Sequence, residues 1–167
     1  MRNIFKMSQN TWEHHSHPMS GWTRVATGWL IFPAIWSHEA WGWPVAGFLL
    51  FLFAFWMYLN PRIFPKPRHT DFWASQVTFG ERIWLKEVPF EGLDELLDMH
   101  RSQTRALGIM AGIGFFGGLI TAYLNLFWPT MFFGFAMTMG KMWFCDRMVW
   151  LFNDAIEINP KLAEWIY

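Results

Sequence analysis

One cysteine, Cys145, occurs in 167 residues, and a single thiol rules out an intramolecular disulfide. Nothing therefore points to an oxidising compartment, and Cys145, set in an apolar run, reads as a small buried apolar side chain. Charge is scarce as well. Only 16% of the residues are charged, against about 25% in an ordinary soluble domain. Thirteen Lys and Arg balance thirteen Asp and Glu, so no basic field suits the chain to nucleic acid. The first 21 residues, rich in Asn, His and Ser, lack the apolar core and small-residue cleavage site of a signal peptide. Insertion into a membrane is thus expected to depend on the chain's own spans.

What remains is apolar and aromatic. Hydrophobic residues make up 53% and aromatics 20%, with 13 Trp and 18 Phe. Tryptophan-rich sequences suit membrane interfaces, where amphipathic rings sit at headgroup level. The apolar residues fall into four blocks, 22–36, 43–59, 106–128 and 130–152. A span needs about 20 largely apolar residues. The last three blocks fit; the first is marginal, with Arg24 near its start and Pro33 inside it, and needs a snorkelling arginine and a proline kink. The reading is a single domain, 1–167, of all-α class: an integral membrane bundle of four transmembrane helices. Amphipathic cytoplasmic or interfacial helices are expected in the connection 60–105, between the second and third spans.

Orientation follows the positive charges. Arg2, Lys6 and Arg24 flank the start of the first block, and Arg62, Lys66, Arg68, Arg82, Lys86, Arg101 and Arg105 lie between the second and third. Lys141, Arg147 and Lys161 fall within or after the fourth. The short connections at 37–42 and around Pro129 hold neither Lys nor Arg. Four spans put all the basic residues on one side, which predicts a cell (inner) membrane protein with both termini cytoplasmic.

The connection opens on three prolines, Pro61, Pro65 and Pro67, which stop the second helix and favour an extended path. Thr70 is then expected to cap a helix from Asp71 to Lys86. Its Phe72, Trp73, Val77 and Trp84 share one face, a stripe suited to lying in the interface. From Glu91 a second pattern places Leu93, Leu96, Leu97 and His100 on one face and Asp94, Asp98, Arg101 and Arg105 on the other. No breaker separates it from the third span, so one long helix is predicted. That span carries Gly108, Gly112, Gly114 and Gly118, two small-xxx-small pairs of the kind that let helix backbones approach in lipid.

Two features carry chemistry-bearing side chains. The run Glu13-His14-His15-Ser16-His17 offers three imidazoles, the commonest transition-metal ligands. It has no recognised zinc spacing, and it reads equally as a polar, headgroup-facing segment. On the fourth helix, Met139, Trp143, Asp146, Arg147, Trp150, Asn153, Asp154 and Glu157 fall within about 120° of one another at helical spacing, and charges near a span mark functional sites by default. Asp146 and Arg147, near the cytoplasmic end, are each open to satisfaction by a neighbour or by snorkelling. A metal site would need ligands from at least two segments: His14 and His17, with His100, Asp146 or Asp154. The competing explanation for His100 is a hydrogen bond to a carbonyl or a nearby acid. His38 and Glu39 read as an interfacial pair. Arg62, Arg68 and Arg82 suit anionic lipid headgroups.

Several stretches resemble an uncharacterised family of small prokaryotic multi-pass membrane proteins, a domain of unknown function. They are His17-Pro18-Met19-Ser20-Gly21-Trp22-Thr23-Arg24, Asn60-Pro61-Arg62-Ile63-Phe64-Pro65, Trp73-Ala74-Ser75, Gly80-Glu81-Arg82-Ile83-Trp84 and Trp143-Phe144-Cys145-Asp146-Arg147-Met148-Val149-Trp150. The resemblance implies a bacterial or archaeal origin and supplies no activity, cofactor or partner. The positions it picks out, Arg24, Arg62, Glu81, Arg82, Asp146 and Arg147, suggest a charge-paired cytoplasmic cap over the bundle.

The leading expectation is a non-enzymatic membrane protein, either an accessory subunit of a membrane complex or a lipid- or cofactor-binding module. Its partners are then the lipid bilayer and other membrane subunits or further copies of itself, with no nucleic acid. The alternative is a metal-dependent membrane enzyme with a His/Asp site at the cytoplasmic face. No cofactor is named by any motif, and a transition metal belongs only to that alternative.

Overall fold

The computed structural model describes residues 8–167; Arg2 and Lys6 lie outside the described residues. Every regular element among these is helical, in the order α1 (Gln9–His15), α2 (Pro18–Gly28), α3 (Ile31–Ile63), α4 (Trp73–Trp84), α5 (Leu93–Tyr123) and α6 (Phe127–Ile158). A 3-10 helix, Pro160–Trp165, follows.

The chain folds as two antiparallel hairpins. In the first, α3 is interrupted at Gly42, which has φ +79°, a backbone conformation that only glycine adopts without strain. Hydrogen bonds then pair Thr27 with Trp56, Thr23 with Asn60, and His14 with Phe64. Partner numbers fall on one side as they rise on the other, so the chain reverses at Gly42, within the expected connection 37–42. Pro33 does not kink a span. The helix breaks at Trp29 and Leu30 instead, and Pro33 sits in the first turn of α3, where a missing N–H costs no hydrogen bond.

The second hairpin is α5 against α6. Its turn centres on Asn125, at φ +55°, and not on Pro129. A proline in the first turn of a helix is tolerated, so Pro129 lies in the first turn of α6 and marks no loop. The long helix from Leu93 into the third block is present as predicted. Leu93, Leu96, Leu97 and His100 are all buried. The glycines divide, however. A Cβ on Gly114 would lie 2.7 Å from both the Met137 Cα and the Phe133 carbonyl oxygen, and one on Gly118 2.6 Å from the Phe32 ring. Gly108 and Gly112 meet nothing within 4 Å, so only the second small-xxx-small pair packs helices together. The two turns lie at one end of the bundle, since Asn125 donates to Glu39 at 3.3 Å and the His38 ring stacks between Trp43 and Tyr123.

The opposite end is closed by α4 and the C-terminal segment. Helix α4 begins at Trp73 with no side-chain cap. Thr70 instead ties down the C-terminus, exchanging hydrogen bonds with Trp165 and Tyr167. The stripe of α4 packs inward, with Val77 buried and Trp73 and Trp84 against the core. The helix buries Ala74, Ser75, Val77, Thr78, Phe79, Gly80 and Ile83 against α6, where Met148, Leu151 and Phe152 are fully covered.

By length and composition, two stretches are long and apolar enough to cross a membrane, Pro18–Ile63 and Leu93–Tyr123. Helix α6 is not among them; Pro129, Thr130, Thr138 and Lys141 dilute its apolar run.

Candidate functional site

A cavity of about 330 Å³ opens where α2, α3, α4, α5 and α6 meet. Its wall is apolar, with Trp22, Val25, Phe53, Met57, Phe115 and Met137 among the lining side chains. Into it three charged groups converge: Arg24 from α2, Glu81 from α4 and Lys141 from α6. Most ligand pockets have this make-up, an apolar wall with a few placed polar groups.

The local reasons for each placement are clear. Gly80 lets α4 touch the α6 backbone: a Cβ there would lie 2.9 Å from the Met148 Cα and closer still to its carbonyl. That contact carries Glu81, the next residue, to Lys141, whose Nζ is 2.8 Å from Glu81 Oε1. Helix α2 begins with the His17 ring accepting from the Met19 amide at 3.2 Å and with Pro18 in its first turn. One turn and a half later Arg24 bonds back through Nε to the Ser20 carbonyl at 3.1 Å.

Behind Arg24 lies His15, 4% exposed. Its tautomer follows from its neighbours. Asn60 Nδ2 donates to Thr23 Oγ1 at 2.8 Å, which leaves Asn60 Oδ1 to accept from Ser20 Oγ at 2.9 Å. Ser20 has spent its proton, so it accepts from His15 Nδ1 at 3.2 Å. The His15 Nε2 lone pair then faces an Arg24 terminal nitrogen at 3.2 Å. Burial first, and the Arg24 charge second, push the imidazole down to about 3, so it is neutral. Burial alone would raise Glu81, but the Lys141 ammonium beside it more than reverses this and holds the carboxyl below its ordinary range.

The residues singled out in the sequence are distributed unevenly around this site. Arg24 and Glu81 meet in it. Arg62 lies outside, over the Tyr58 ring at 4.0 Å. Arg82 bonds Gln9 and covers the Trp165 ring at 4.9 Å, beside a smaller cavity of about 180 Å³. Asp146 accepts one long bond, 3.4 Å, from the Trp73 indole, and Arg147 rests on Trp150 at 4.7 Å. The six therefore form no single network.

The candidate metal ligands sit in separate settings. His14 bonds the Phe64 carbonyl at 2.7 Å, and His17 caps α2. His100 and Asp154 bond each other at 2.8 Å, the nearby-acid explanation for His100. No three His, Cys, Asp or Glu side chains among the described residues are grouped to hold a metal ion. His15 and Lys141 are the site residues that the sequence reading did not assemble. Lys141 carried a signal, as a charge within the apolar block 130–152. His15 carried none that separated it from its neighbours.

A family model described as "Family of unknown function (DUF6653)" covers residues 1–165. No curated protein and no solved structure matches the chain.

Proposed function

The chain belongs to that family of unknown function, and we propose that it is a four-span, multi-pass membrane protein, non-enzymatic, whose bundle binds a lipid-like or other apolar ligand in the cavity. The observation that carries the binding reading is the cavity itself, apolar around its wall and charged at one side. An apolar occupant gains dispersion contacts with such a wall.

Several features support the membrane setting. Phe48, Phe51 and Phe55 on α3, with Ile109, Ile113 and Phe116 on α5, are all at least 49% exposed. Water-soluble monomers rarely present contiguous apolar faces of this extent, whereas acyl chains cover them without cost. The same faces are available to neighbouring subunits. Arg24 and Lys141 stand roughly 25 Å along their helices from the turn end, at 1.5 Å per residue, which in a core of about 30 Å reaches the far rim. The remaining basic side chains among the described residues lie toward that end, which supports cytoplasmic termini.

Two experiments test this reading. Reporter fusions after Tyr167 and within 37–42 should report the cytoplasm and the outside respectively; an externally active reporter after Tyr167 sinks the orientation. For the ligand, native mass spectrometry of protein purified in mild detergent should show one apolar molecule retained per chain. Val25→Trp, which fills the cavity, should lose it. Retention of the same mass by both proteins, or by neither, rejects the cavity as a binding site.

A further inference from the structure

Charge inside the cavity narrows the class of ligand. Arg24 and Lys141 bring two positive charges, Glu81 one negative, and His15 none. The single carboxylate is already engaged, with Lys141 at 2.8 Å. Among the described residues Arg24 has no carboxylate within 4.0 Å. Its contacts are the Ser20 carbonyl and the His15 ring, which occupy only part of a guanidinium with five N–H donors. Asp146, on the same helix as Lys141, turns to the Trp73 indole and pairs with neither cation. The site thus holds one uncompensated positive charge against an apolar wall, where water and counter-ions screen poorly. A cation held partly out of water without a partner is costly; Arg24 is only partly exposed, and the side chain of Lys141, on a residue that lines the cavity, is 52% exposed and open to a ligand. An occupant with one negative charge balances the account; a neutral one leaves the cost in place.

We propose that the ligand is an amphiphile with a monoanionic head, a carboxylate or a lipid phosphodiester, whose head lies between Arg24 and Lys141 and which lays an apolar chain along Trp22, Phe53 and Phe115. Arginine suits such heads because its planar fork matches two oxygens at once. This inference rests on the cavity-binding reading, and its test separates the two. The probes are dodecanoate and 1-dodecanol, which share a chain and differ in the head, together with phosphatidylglycerol incorporated in mixed micelles.

Wild-type protein should bind dodecanoate about tenfold or more tighter than dodecanol, the preference expected when a charge meets a partly buried partner. Lys141→Met keeps the bulk of the side chain and should erase most of that preference. Glu81→Gln should act the other way and strengthen dodecanoate binding, because it removes the competing carboxylate; it keeps the proposal open to test if Lys141→Met fails to fold. Competition of dodecanoate by phosphatidylglycerol assigns the head to a lipid phosphodiester, and lack of competition assigns it to a free carboxylate; both keep the monoanion. Equal binding of dodecanoate and dodecanol, or unchanged dodecanoate binding in Glu81→Gln, overturns the anionic head and leaves the cavity reading standing. Binding of none of the three probes overturns both.

Discussion

Gly80→Ala should be among the most damaging single substitutions in this protein, costing on the order of 3 kcal/mol or more. The added methyl would meet the Met148 backbone, not a side chain that can swing away. Relief requires α4 to move off α6, and α4 brings Val77, Phe79 and Ile83 to the core around Met148, Leu151 and Phe152. The ion pair between Glu81 and Lys141 would separate with them. Gly112→Ala provides the opposite sign. Gly112 meets nothing within 4 Å, so alanine there gains about 1 kcal/mol of helix propensity and loses no contact. Melting both variants in the same detergent compares the two directly. Matching transitions would show that α4 does not lie against the α6 backbone as described.

The contrast between these two glycines also shows where the sequence was readable. Small residues at a spacing of four announce close helix packing, but they do not say which of two pairs faces a partner. Gly114 and Gly118 do, and Gly108 and Gly112 turn outward. Local periodicity was reliable where a face is wholly aliphatic, as with Leu93, Leu96 and Leu97. It misled for α4, whose buried side sets Val77, Phe79 and Ile83 among the small residues Ala74, Ser75, Thr78 and Gly80. Such residues score as neither apolar nor polar, so the tryptophans at the edges of the stripe dominated the pattern. The turns were legible to within a few residues because no Lys or Arg falls in them.

The site was legible only in fragments. Its charged and imidazole groups come from α1, α2, α4 and α6, at positions 15, 24, 81 and 141, and no local pattern relates residues that far apart. Resemblance to the family brought Arg24 and Glu81 forward together, but equally Arg62, Arg82, Asp146 and Arg147, each of which settles on its own aromatic or polar neighbour. What the sequence lacks is the register of α4 on α6. That register depends on Gly80, and it decides that Glu81, and not Arg82, points into the cavity.

His15 gives the second large effect, a loss of stability in mild acid. In an unfolded chain its imidazole takes up a proton near the ordinary value of 6.5, whereas in the fold burial and Arg24 hold it down to about 3. Between those values the unfolded state binds more protons than the folded one, so stability falls as pH falls through the window. From about pH 7 to about pH 5 the loss attributable to His15 alone is roughly 2 kcal/mol. Every element around the ring opposes or fails to rescue its protonation. Arg24 on α2 and Lys141 on α6 repel the charge, Ser20 already accepts from Nδ1 and offers no acceptor to the second N–H, and Glu81 on α4, at 3.9 Å, offers partial relief. Glu81 itself adds acid lability only below its unfolded value of 4.5, because its folded carboxyl is held lower, so the two contributions separate by pH. His15→Gln removes the titrating group. Its denaturation midpoint, whatever its absolute value, should therefore change less between about pH 7 and about pH 5 than the wild-type midpoint does, by an amount worth about 2 kcal/mol. An identical pH slope for the two proteins would mean that His15 is solvated, and that the charged side of the cavity is wetter and less positive than its geometry implies.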